Sequence, residues 1–436
     1  MIEEGRSRRA GRFATTAEAL RRFASTLTPE DHVVLEATCN TEAIARVLRQ
    51  HAGRVVISNP LRTRAIADAK IKTETVDATV LAQLLASGFL PEVWLPDEVT
   101  AQRRRQVARR AQVVRQRTQI KHHIHAILHR NLVPPCPYAD LFGKVGRAWL
   151  ATQSLPADEQ QTVASLLRML DQFTAEVAGI EQDLAEETLA CGPARRLMTI
   201  PGVDAAIAMT LVAAVGEIAR FSSAQKLVSY LGLDPRVRQS GLHPATHGRI
   251  SKQGHAHARS MLVQAAWAVT NTPGPLRAFF LRLRARRGKQ IAVVATARKL
   301  AVLVWHLWSK EQDYLWARPS LTATKLRTLE LHAGRPARRG HRGPTVNDRL
   351  QSLRNQELAI GEQAERAYAE AVARWQPRRP ARQKSMGVSA AKEERIQPYE
   401  ARVRRRESST SELAVPVGVA HAHDQDNKNR GQRGGA

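Results

Sequence analysis

Between Ala101 and Asn131 the chain carries nine lysine and arginine residues and not one aspartate or glutamate. The pattern of the segment is helical, and a helix with only cations on its polar face repels itself unless a polyanion lies beside it. Charge runs on a solvated face normally mix signs, and such a face is the alternative interpretation. The single sign favours contact with phosphate. The predicted contacts are Arg103, Arg104, Arg105, Arg109, Arg110, Arg117 and Lys121.

The whole chain shares this imbalance, with a formal net charge of +27 over 436 residues. Of its 67 basic residues 54 are arginine, whose planar guanidinium group can hold a phosphate through two hydrogen bonds. Such a polycation gains affinity for nucleic acid because binding releases the counterions of the phosphates. Nucleic acid is therefore the favoured partner, and an ordinary enzyme with a basic surface is the alternative.

The composition argues against several other classes of protein. No uninterrupted apolar run approaches the roughly 18 residues that cross a bilayer, and the first residues do not resemble a signal peptide. We therefore expect a cytoplasmic protein without a membrane partner. The cysteines Cys39, Cys136 and Cys191 are far apart in the chain, which argues against a disulfide framework or a zinc knuckle.

The order of strand-like and helical patterns predicts an α/β region followed by mainly helical regions. Residues 11–100 alternate strand-like runs, such as His32–Glu36 and Arg54–Ser58, with helical patterns. Parallel strands linked by helices bring their ends to one crevice. The predicted domains are residues 1–100 (α/β), 101–192 (two long helices forming an antiparallel coiled-coil arm), 193–318 (mainly helical) and 319–436 (a basic extension with one helix and a tail of disordered composition).

Three carboxylates contrast with this basic background, because they repel phosphate unless a divalent cation lies between them. Glu36 ends the first strand-like run, where its side chain can face the crevice, although a capping residue gives the same pattern. Glu74 and Asp77 are three residues apart on one face of a predicted helix, close enough to share a cation. Acids in a first turn also complement the helix dipole, which is the alternative explanation. We predict a metal site formed by these three carboxylates.

Two short motifs in the third region are candidates for contact with a nucleic-acid backbone. Ile200-Pro201-Gly202-Val203 is typical of a helix-hairpin-helix turn, whose N–H groups point at phosphate, and it equally suits an ordinary turn. Ser240-Gly241 lies in a polar loop with Arg238 and Lys252 nearby. A hydroxyl beside glycine can approach a phosphate closely, and cations stabilise the developing charge, but most Ser-Gly pairs are simply turns. Gly202, Arg238 and Lys252 are the candidate backbone contacts.

Taken in order, the motifs of the chain resemble those of the insertion-sequence 110 family of bacterial transposases, over residues 11–318. Each motif is weak by itself, and the ordered set is specific. The motifs are Leu35-Glu36-Ala37-Thr38, Asn59-Pro60, Lys72-Thr73, Val76-Asp77-Ala78, Leu81-Ala82, Ile200-Pro201-Gly202-Val203, Gly232-Leu233-Asp234-Pro235, Ser240-Gly241, Ser251-Lys252-Gln253-Gly254 and Ala297-Arg298-Lys299-Leu300.

The resemblance implies an RNase H-like (RuvC-like) domain with four acidic residues that bind Mg²⁺, then a coiled-coil arm, then a helical transposase domain with a catalytic serine. Glu36, Glu74 and Asp77 match the second, third and fourth acidic positions, and Ser240 matches the serine. The family pattern also implies action on double-stranded DNA, specified by a structured guide RNA that the element encodes. The site would be composed across a homodimer or a tetramer.

The chain departs from the family pattern at several positions. The first acidic position belongs to a strand that should precede Gly11, so the set of four carboxylates is incomplete. Glu74 replaces the usual aspartate, and Cys39 and Asp204 each replace a glycine. The simplest account is a start codon assigned too far downstream or a decaying copy of the element. An inactive nucleic-acid-binding relic is therefore the main alternative to an active transposase, and a nuclease that does not use Ser240 is a weaker one.

Overall fold

The structure of the protein is a computed structural model. It describes residues 2–3, 6–7, 11–66, 73–241, 244–336 and 344–374. The region before residue 98 contains β1 (Ile2–Glu3), β2 (Arg6–Ser7), α1 (Ala17–Ala24), β3 (His32–Glu36), α2 (Thr41–Leu48), β4 (Arg54–Ser58), α3 (Pro60–Ile66), α4 (Glu74–Ala86) and β5 (Glu92–Val93). The predicted alternation of strands and helices is confirmed for these residues.

A small mixed sheet organises this first region. β3 and β4 pair in parallel, from His32 opposite Arg54 to Glu36 opposite Ser58, and β5 joins the other side of β4 in antiparallel orientation. β4 is therefore the central strand, and its last three residues are buried while β3 is only half-buried. Because β3 and β4 run the same way, Glu36 and Ser58 end at the same edge of the sheet. α4 packs against β3 at this sheet.

Two long helices form the predicted arm. α5 (Glu98–Arg130) and α7 (Ala157–Ala190) pack along each other, and α6 (Lys144–Ala151) lies in the connection between them. Asp97 caps α5 by accepting a hydrogen bond of 2.8 Å from the Thr100 amide. Apolar side chains such as Ile124 from α5 and Leu170 from α7 form a core at the far end of the pair. The prediction of two long helices around a turn is confirmed.

The third region is mainly helical with one hairpin. It contains α8 (Gly192–Leu197), α9 (Ala205–Val215), a 3₁₀ turn (Ile218–Arg220), α10 (Ala224–Tyr230), β6 (Pro235–Arg238), β7 (Thr246–Ile250), α11 (Ala256–Val269), α12 (Pro275–Arg287) and α13 (Lys289–Ser309). α14 (Pro319–His332) and α15 (Pro344–Arg374) follow. α9 is apolar along its whole length and is buried from Ile207 to Val215, so it forms the centre of the core. α11 packs on it, and α13 packs in turn on α11.

α13 is long and apolar enough to cross a membrane by length and composition alone. Half of its most apolar window is buried inside the protein, where residues such as Leu300 and Val304 contribute to the core. A core helix of a globular domain meets the same test, and the pair Arg298-Lys299 interrupts its apolar sequence.

An aromatic and arginine cluster joins the first region to the third. The Arg220 guanidinium lies 4.1 Å from the ring centroid of Trp94, the residue that follows β5, and 4.4 Å from that of Tyr230. Arg104 of α5 lies 5.0 Å from the same Trp94 ring. Gly216, with φ of +66°, ends α9 beneath this ring, and a Cβ there would lie 2.4 Å from a ring carbon. The site residues of both regions are thereby held in one unit.

His255 caps the N-terminus of α11 and predicts a pH-dependent stability. Its Nδ1 accepts a hydrogen bond of 3.2 Å from the Ala258 amide, which requires the neutral ring. Burial, aided by the charge of Arg104, lowers the pKa of His255 from 6.5 to about 4. Protons therefore bind preferentially to the unfolded chain between these two values. We expect the contribution of His255 to the free energy of unfolding to be fully present above pH 6.5. It should decrease as the pH falls towards 4, by up to about 1.4 kcal/mol per pH unit.

The measurement is urea unfolding at several pH values between 4 and 7.5, with His255→Asn as the control. Asparagine retains a capping side chain and does not titrate in this range. The difference in unfolding free energy between the two proteins should therefore change with pH. Parallel pH profiles for the two proteins would contradict this role of His255.

Candidate functional site

Ser240 lies at the tip of the β6–β7 hairpin. The strands pair with Arg238 opposite Thr246, and the loop between them projects Ser240 and Gly241 into solvent. Gly241 has a φ of +54°, and nothing lies within 4 Å of the position where a Cβ would be. Within the part of the chain that the structure describes, no group hydrogen-bonds the Ser240 hydroxyl. An exposed hydroxyl on an open turn is accessible to a large substrate. His243 of the same loop lies outside the described residues.

Two of the sequence motifs build the base of this hairpin. The Ser251 hydroxyl donates a hydrogen bond of 2.7 Å to Asp234 Oδ1, and the Ser251 amide donates one of 2.8 Å to the Asp234 carbonyl. Gly254, with φ of +144°, lies where a Cβ would be 2.2 Å from the Tyr230 carbonyl oxygen, so only glycine fits without a backbone shift. These contacts fix the base of the hairpin on the helical core.

Four cations surround a cleft on the hairpin. Arg236 and Arg238 come from β6, Arg249 from β7 and Lys252 from the residues after it, and they line a depression of about 480 Å³. None of the four forms an ion pair with a described residue. The structure thus brings together Arg238 and Lys252, the two predicted backbone contacts of this loop, and adds two arginines that sequence analysis did not single out. A depression lined by four cations that have no ion-pair partner among the described residues carries the charge that attracts a polyanion.

The three predicted metal ligands lie on β3 and on the helix that packs against it. Glu36 is the last residue of β3 and is exposed, and Asp77 is half-buried in the first turn of α4. Thr73 caps α4 by accepting a hydrogen bond of 3.3 Å from the Val76 amide. Glu74 begins the helix, and its side chain lies outside the described residues. The packing of α4 on β3 brings the two elements into contact, as a shared site requires.

The donor set suits a hard divalent cation. Carboxylate oxygens are the ligands that Mg²⁺ prefers, and neither Glu36 nor Asp77 forms an ion pair with any described residue, despite the net charge of +27. Among the described side chains no group of three or more His, Cys, Asp or Glu residues is placed to hold a metal ion. Two of the three predicted ligands can be located, and the third is needed to complete the site. The metal site therefore stays a prediction.

The arginine-rich helix α5 is neutralised from within the protein. α7 runs antiparallel to it and presents acids at matching positions, so that Arg103 contacts Glu187 at 2.6 Å and Arg130 contacts Glu159 at 2.6 Å. Between them Arg109 pairs with Glu176, and Arg110 pairs with Glu181. Arg105 pairs at 2.8 Å with Glu98, two turns before it in the same helix. The argument that this helix needs an external polyanion was wrong, because the polar face of α7 supplies the opposite charge.

Three further predicted contacts of α5 have different surroundings. Arg104 is directed into the protein, where its guanidinium donates hydrogen bonds of 2.9 and 3.0 Å to the carbonyls of Ala213 and Ala214. Lys121 lies 4.8 Å from the centroid of the Phe142 ring. Arg117 forms no ion pair with a described residue. Arg117 and Lys121, with Arg115, leave positive charge along the middle of the arm, and the phosphate contact of Arg117 and Lys121 stays a prediction.

The turn that contains Gly202 has a structural role. Gly202, with φ of +82°, packs against α11, where a Cβ would lie 2.8 Å from the Ala265 carbonyl oxygen. The first amides of α9 face the Asp204 carboxylate, which accepts a hydrogen bond of 2.8 Å from Ile207. An acid at this helix end repels a second anion. The interpretation as an ordinary turn accounts for these contacts, and the predicted phosphate contact of Gly202 has no support in the structure.

A half-buried lysine holds the same turn from the other side. The Lys325 ammonium of α14 donates hydrogen bonds of 2.7, 2.8 and 2.9 Å to the carbonyl oxygens of Met198, Ile200 and Val203. Burial lowers the pKa of Lys325 to about 8, while the nearby Asp204 charge opposes this effect. The ammonium is therefore still protonated near pH 7. The sequence carried no signal for this contact, because about 120 residues separate Lys325 from its three partners.

Sequence analysis also missed a second basic region. Residues 218–310 contain 16 lysine and arginine residues and one acid, Asp234. Five of these cations, Arg277, Arg282, Arg284, Arg286 and Arg287, lie on α12. The signal was present in the charge count, and it was overlooked because these cations alternate with apolar residues, whereas those of α5 are clustered.

Comparisons with known proteins match two parts of the chain. The model of the family described as "Transposase IS116/IS110/IS902 family" matches residues 194–281, and the model of the DEDD transposases of IS110 matches residues 1–132. The first match contains the β6–β7 hairpin with Ser240, and the second contains the three predicted metal ligands. Each region found here from its geometry thus lies in a transposase domain.

Individual relatives agree with the family matches. A putative transposase of Sinorhizobium fredii, y4qE, is 29% identical over 281 residues, 58% of this chain and 68% of that protein. The transposase for insertion sequence element IS1111A of Coxiella burnetii is 32% identical over 142 residues, 32% of this chain and 39% of that protein. The pilin gene-inverting protein of Moraxella bovis is 25% identical over 283 residues, covering 62% and 78% respectively. The matched part thus ranges from about two fifths to about four fifths of these relatives.

Proposed function

Because this chain is a transposase of the IS110/IS116 family and carries both domains of that family, we propose that it cuts and rejoins the DNA of an insertion sequence through the hydroxyl of Ser240. In this proposal Glu36, Glu74 and Asp77 hold a divalent cation, with Mg²⁺ as the expected ion. The cleft that contains Arg238 and Lys252 holds the DNA backbone beside the serine. The protein acts on double-stranded DNA in the cytoplasm.

The observation that carries the proposal is the hairpin itself. Its tip presents a hydroxyl that no described group holds, and four cations without ion-pair partners lie on the same hairpin. Attack by Ser240 Oγ on a DNA phosphorus would form an Oγ–P bond and release a deoxyribose hydroxyl. Attack by a second deoxyribose hydroxyl on this ester would restore the serine and rejoin the strand. The arginines would stabilise the negative charge of the pentavalent phosphorus in both steps.

The carboxylates contribute at a different point. A divalent cation bound by them would neutralise phosphate charge and polarise the phosphorus–oxygen bond. Glu36 and Asp77 are without ion-pair partners among the described residues, so they are available for this role. We further propose that a homodimer or tetramer brings the carboxylates of one copy to the serine of another. A structured RNA from the element would select the DNA, held in part by Arg117 and Lys121 of the arm.

The test is a search for the covalent intermediate. The purified full chain is incubated with Mg²⁺, RNA transcribed from the element's flank, and a labelled DNA junction, and the products are separated under denaturing conditions. A labelled band at the mass of the protein plus one DNA strand is expected. If both the chain and a version extended at its N-terminus bind the junction without forming this band, the protein is instead a nucleic-acid-binding relic. Strand cleavage without a band would indicate a carboxylate-dependent nuclease.

Replacing the carboxylates is expected to weaken binding of the cation and thereby to slow strand cleavage. Asp77→Asn and Glu36→Gln keep the shape of each side chain and delete the charge that binds the cation. Each should lower strand cleavage by at least about 100-fold, with partial recovery at raised Mg²⁺ concentration. Glu18→Gln is the matched control, because Glu18 is an exposed acid of the same region and pairs with Arg22. Equal activity of the control and the two site variants would contradict the metal site.

A further inference from the structure

A second cleft, of about 610 Å³, lies between the end of α11, one face of α12 and the start of α13. Arg277 and Arg284 are seven residues apart and therefore share a face of α12. Lys289 begins α13, and Trp267 of α11 forms the aromatic wall. None of the described residues that line the cleft is acidic. We propose that this cleft binds an unpaired nucleotide of a nucleic-acid strand, with the cations on its phosphate and the Trp267 ring against its base.

Two of the three cations of the cleft, Arg284 and Lys289, lie against aromatic rings. The Lys289 ammonium lies 4.9 Å from the Trp267 ring centroid, and the Arg284 guanidinium lies 5.8 Å from that of Phe280. Neither forms an ion pair with a described residue, and both side chains are exposed. The third cation, Arg277, forms an ion pair of 3.7 Å with Glu365 of α15. A phosphate is a stronger partner for Arg284 and Lys289 than a ring at these distances.

The Trp267 ring is fixed and within reach of a base. It is half-buried and packs against the small cluster of Phe280, Ala292 and Val293, so it keeps its orientation. Lys289 lies over the ring on a flexible four-carbon stem, which allows the ammonium to follow a phosphate while a base takes its place. Stacking on aromatic side chains is how proteins hold bases that are not paired. A base within a duplex is stacked on its neighbours, so its face is not free to stack on the Trp267 ring.

The size of the cleft also suits this ligand. Sites for small molecules and nucleotides usually enclose about 300–1,000 Å³. The cleft is separate from the hairpin of Ser240, since the two share no lining residue. The inference rests on the proposed function only in taking a nucleic acid as the partner, and it places a specific recognition point on the missed basic region of residues 218–310.

The experiment measures binding of the full chain to labelled oligonucleotides by fluorescence anisotropy at several salt concentrations. The probes are single-stranded DNA, single-stranded RNA of the same sequence, and duplex DNA. The double variant Arg284→Gln/Lys289→Gln should lose at least about tenfold in affinity for the single strands and lower the salt slope by about 1.4. Arg286→Gln/Arg287→Gln removes two exposed charges from the end of the same helix and should lose less than about threefold. Circular dichroism checks that each variant is folded.

Trp267→Phe tests the stacking separately from the charge. Affinity for the single strands should fall about three- to tenfold, and affinity for the duplex should stay within about twofold. Preference for the RNA probe would assign the cleft to the guide, and preference for the DNA probe would assign it to the element or target strand. Equal losses in the two double variants would overturn the proposal, as would equal losses for duplex and single strands. The assay uses neither metal ion nor scissile junction, so its result is independent of the Ser240 chemistry.

Discussion

Replacing Ser240 with alanine is expected to abolish the covalent protein–DNA band and to lower strand cleavage by at least about a thousandfold. The substitution deletes the atom that is proposed to attack the DNA phosphorus in the first step. It leaves the hairpin intact, because Ser240 is exposed and its hydroxyl forms no hydrogen bond with a described group. The base of the hairpin, held by Asp234 and Ser251, is also unaffected. DNA binding should therefore persist, and the loss should fall on the chemical step.

The control for this variant is Ser240→Cys, which keeps a nucleophile of similar size at the same position. A cysteine should retain a small fraction of cleavage and give a sulfur-linked adduct, whereas alanine gives neither. Cleavage measured on a labelled junction at saturating DNA separates the chemical step from binding. Unchanged cleavage by Ser240→Ala, together with loss of cleavage in Asp77→Asn, would refute the serine mechanism and support the nuclease alternative.

Replacing Lys325 with methionine is expected to lower the free energy of unfolding by about 3 kcal/mol. The substitution keeps the length of the side chain and removes the ammonium that three carbonyl oxygens share. Those oxygens would then lie in a buried turn with fewer hydrogen-bond donors. Each oxygen that finds no new donor costs about 1–3 kcal/mol of stability. Burial of the ammonium, which lowers its pKa to about 8, already opposes part of this stabilisation. The net loss of stability is therefore smaller than the sum of the costs for the three oxygens.

Urea denaturation at pH 7 measures this loss. Lys310→Met is the matched control, because Lys310 ends α13 in an exposed position and the same chemical change there should cost less than about 0.5 kcal/mol. A Lys325→Met protein as stable as the control would show that water or neighbouring groups replace the ammonium. The turn between α8 and α9 would then be held by its apolar packing alone.

The strands and helices near the carboxylates followed from local patterns. The runs His32–Glu36 and Arg54–Ser58 are rich in β-branched residues and are bounded by turn residues, so each segment predicts its own structure. Thr73 as the cap of α4 and Asp97 as the cap of α5 depend on residues no more than three positions apart. Such features can be read from the sequence because their causes lie within one or two turns of the chain.

The errors came from contacts between distant residues. The charge of α5 was judged on α5 alone, whereas Glu176 and Glu187 that compensate it lie about 70 to 80 residues away. The acidic face of α7 was visible in the sequence, but its pairing with α5 requires the antiparallel register. The Gly202 motif likewise fits both a phosphate-binding turn and a packed one, and only the position of α11 distinguishes them. Position in three dimensions decides these roles.

The contact of Trp94 with Gly216 has a practical consequence for protein engineering. Consider a hybrid protein whose first hundred residues come from one family member and whose remainder comes from another. It must combine the tryptophan at position 94 with the glycine at position 216. Any side chain at 216 would collide with the indole, and loss of the indole would leave Arg104 and Arg220 without their shared aromatic surface. Successful fusions should therefore be those whose two parents agree at this pair, whatever their overall similarity.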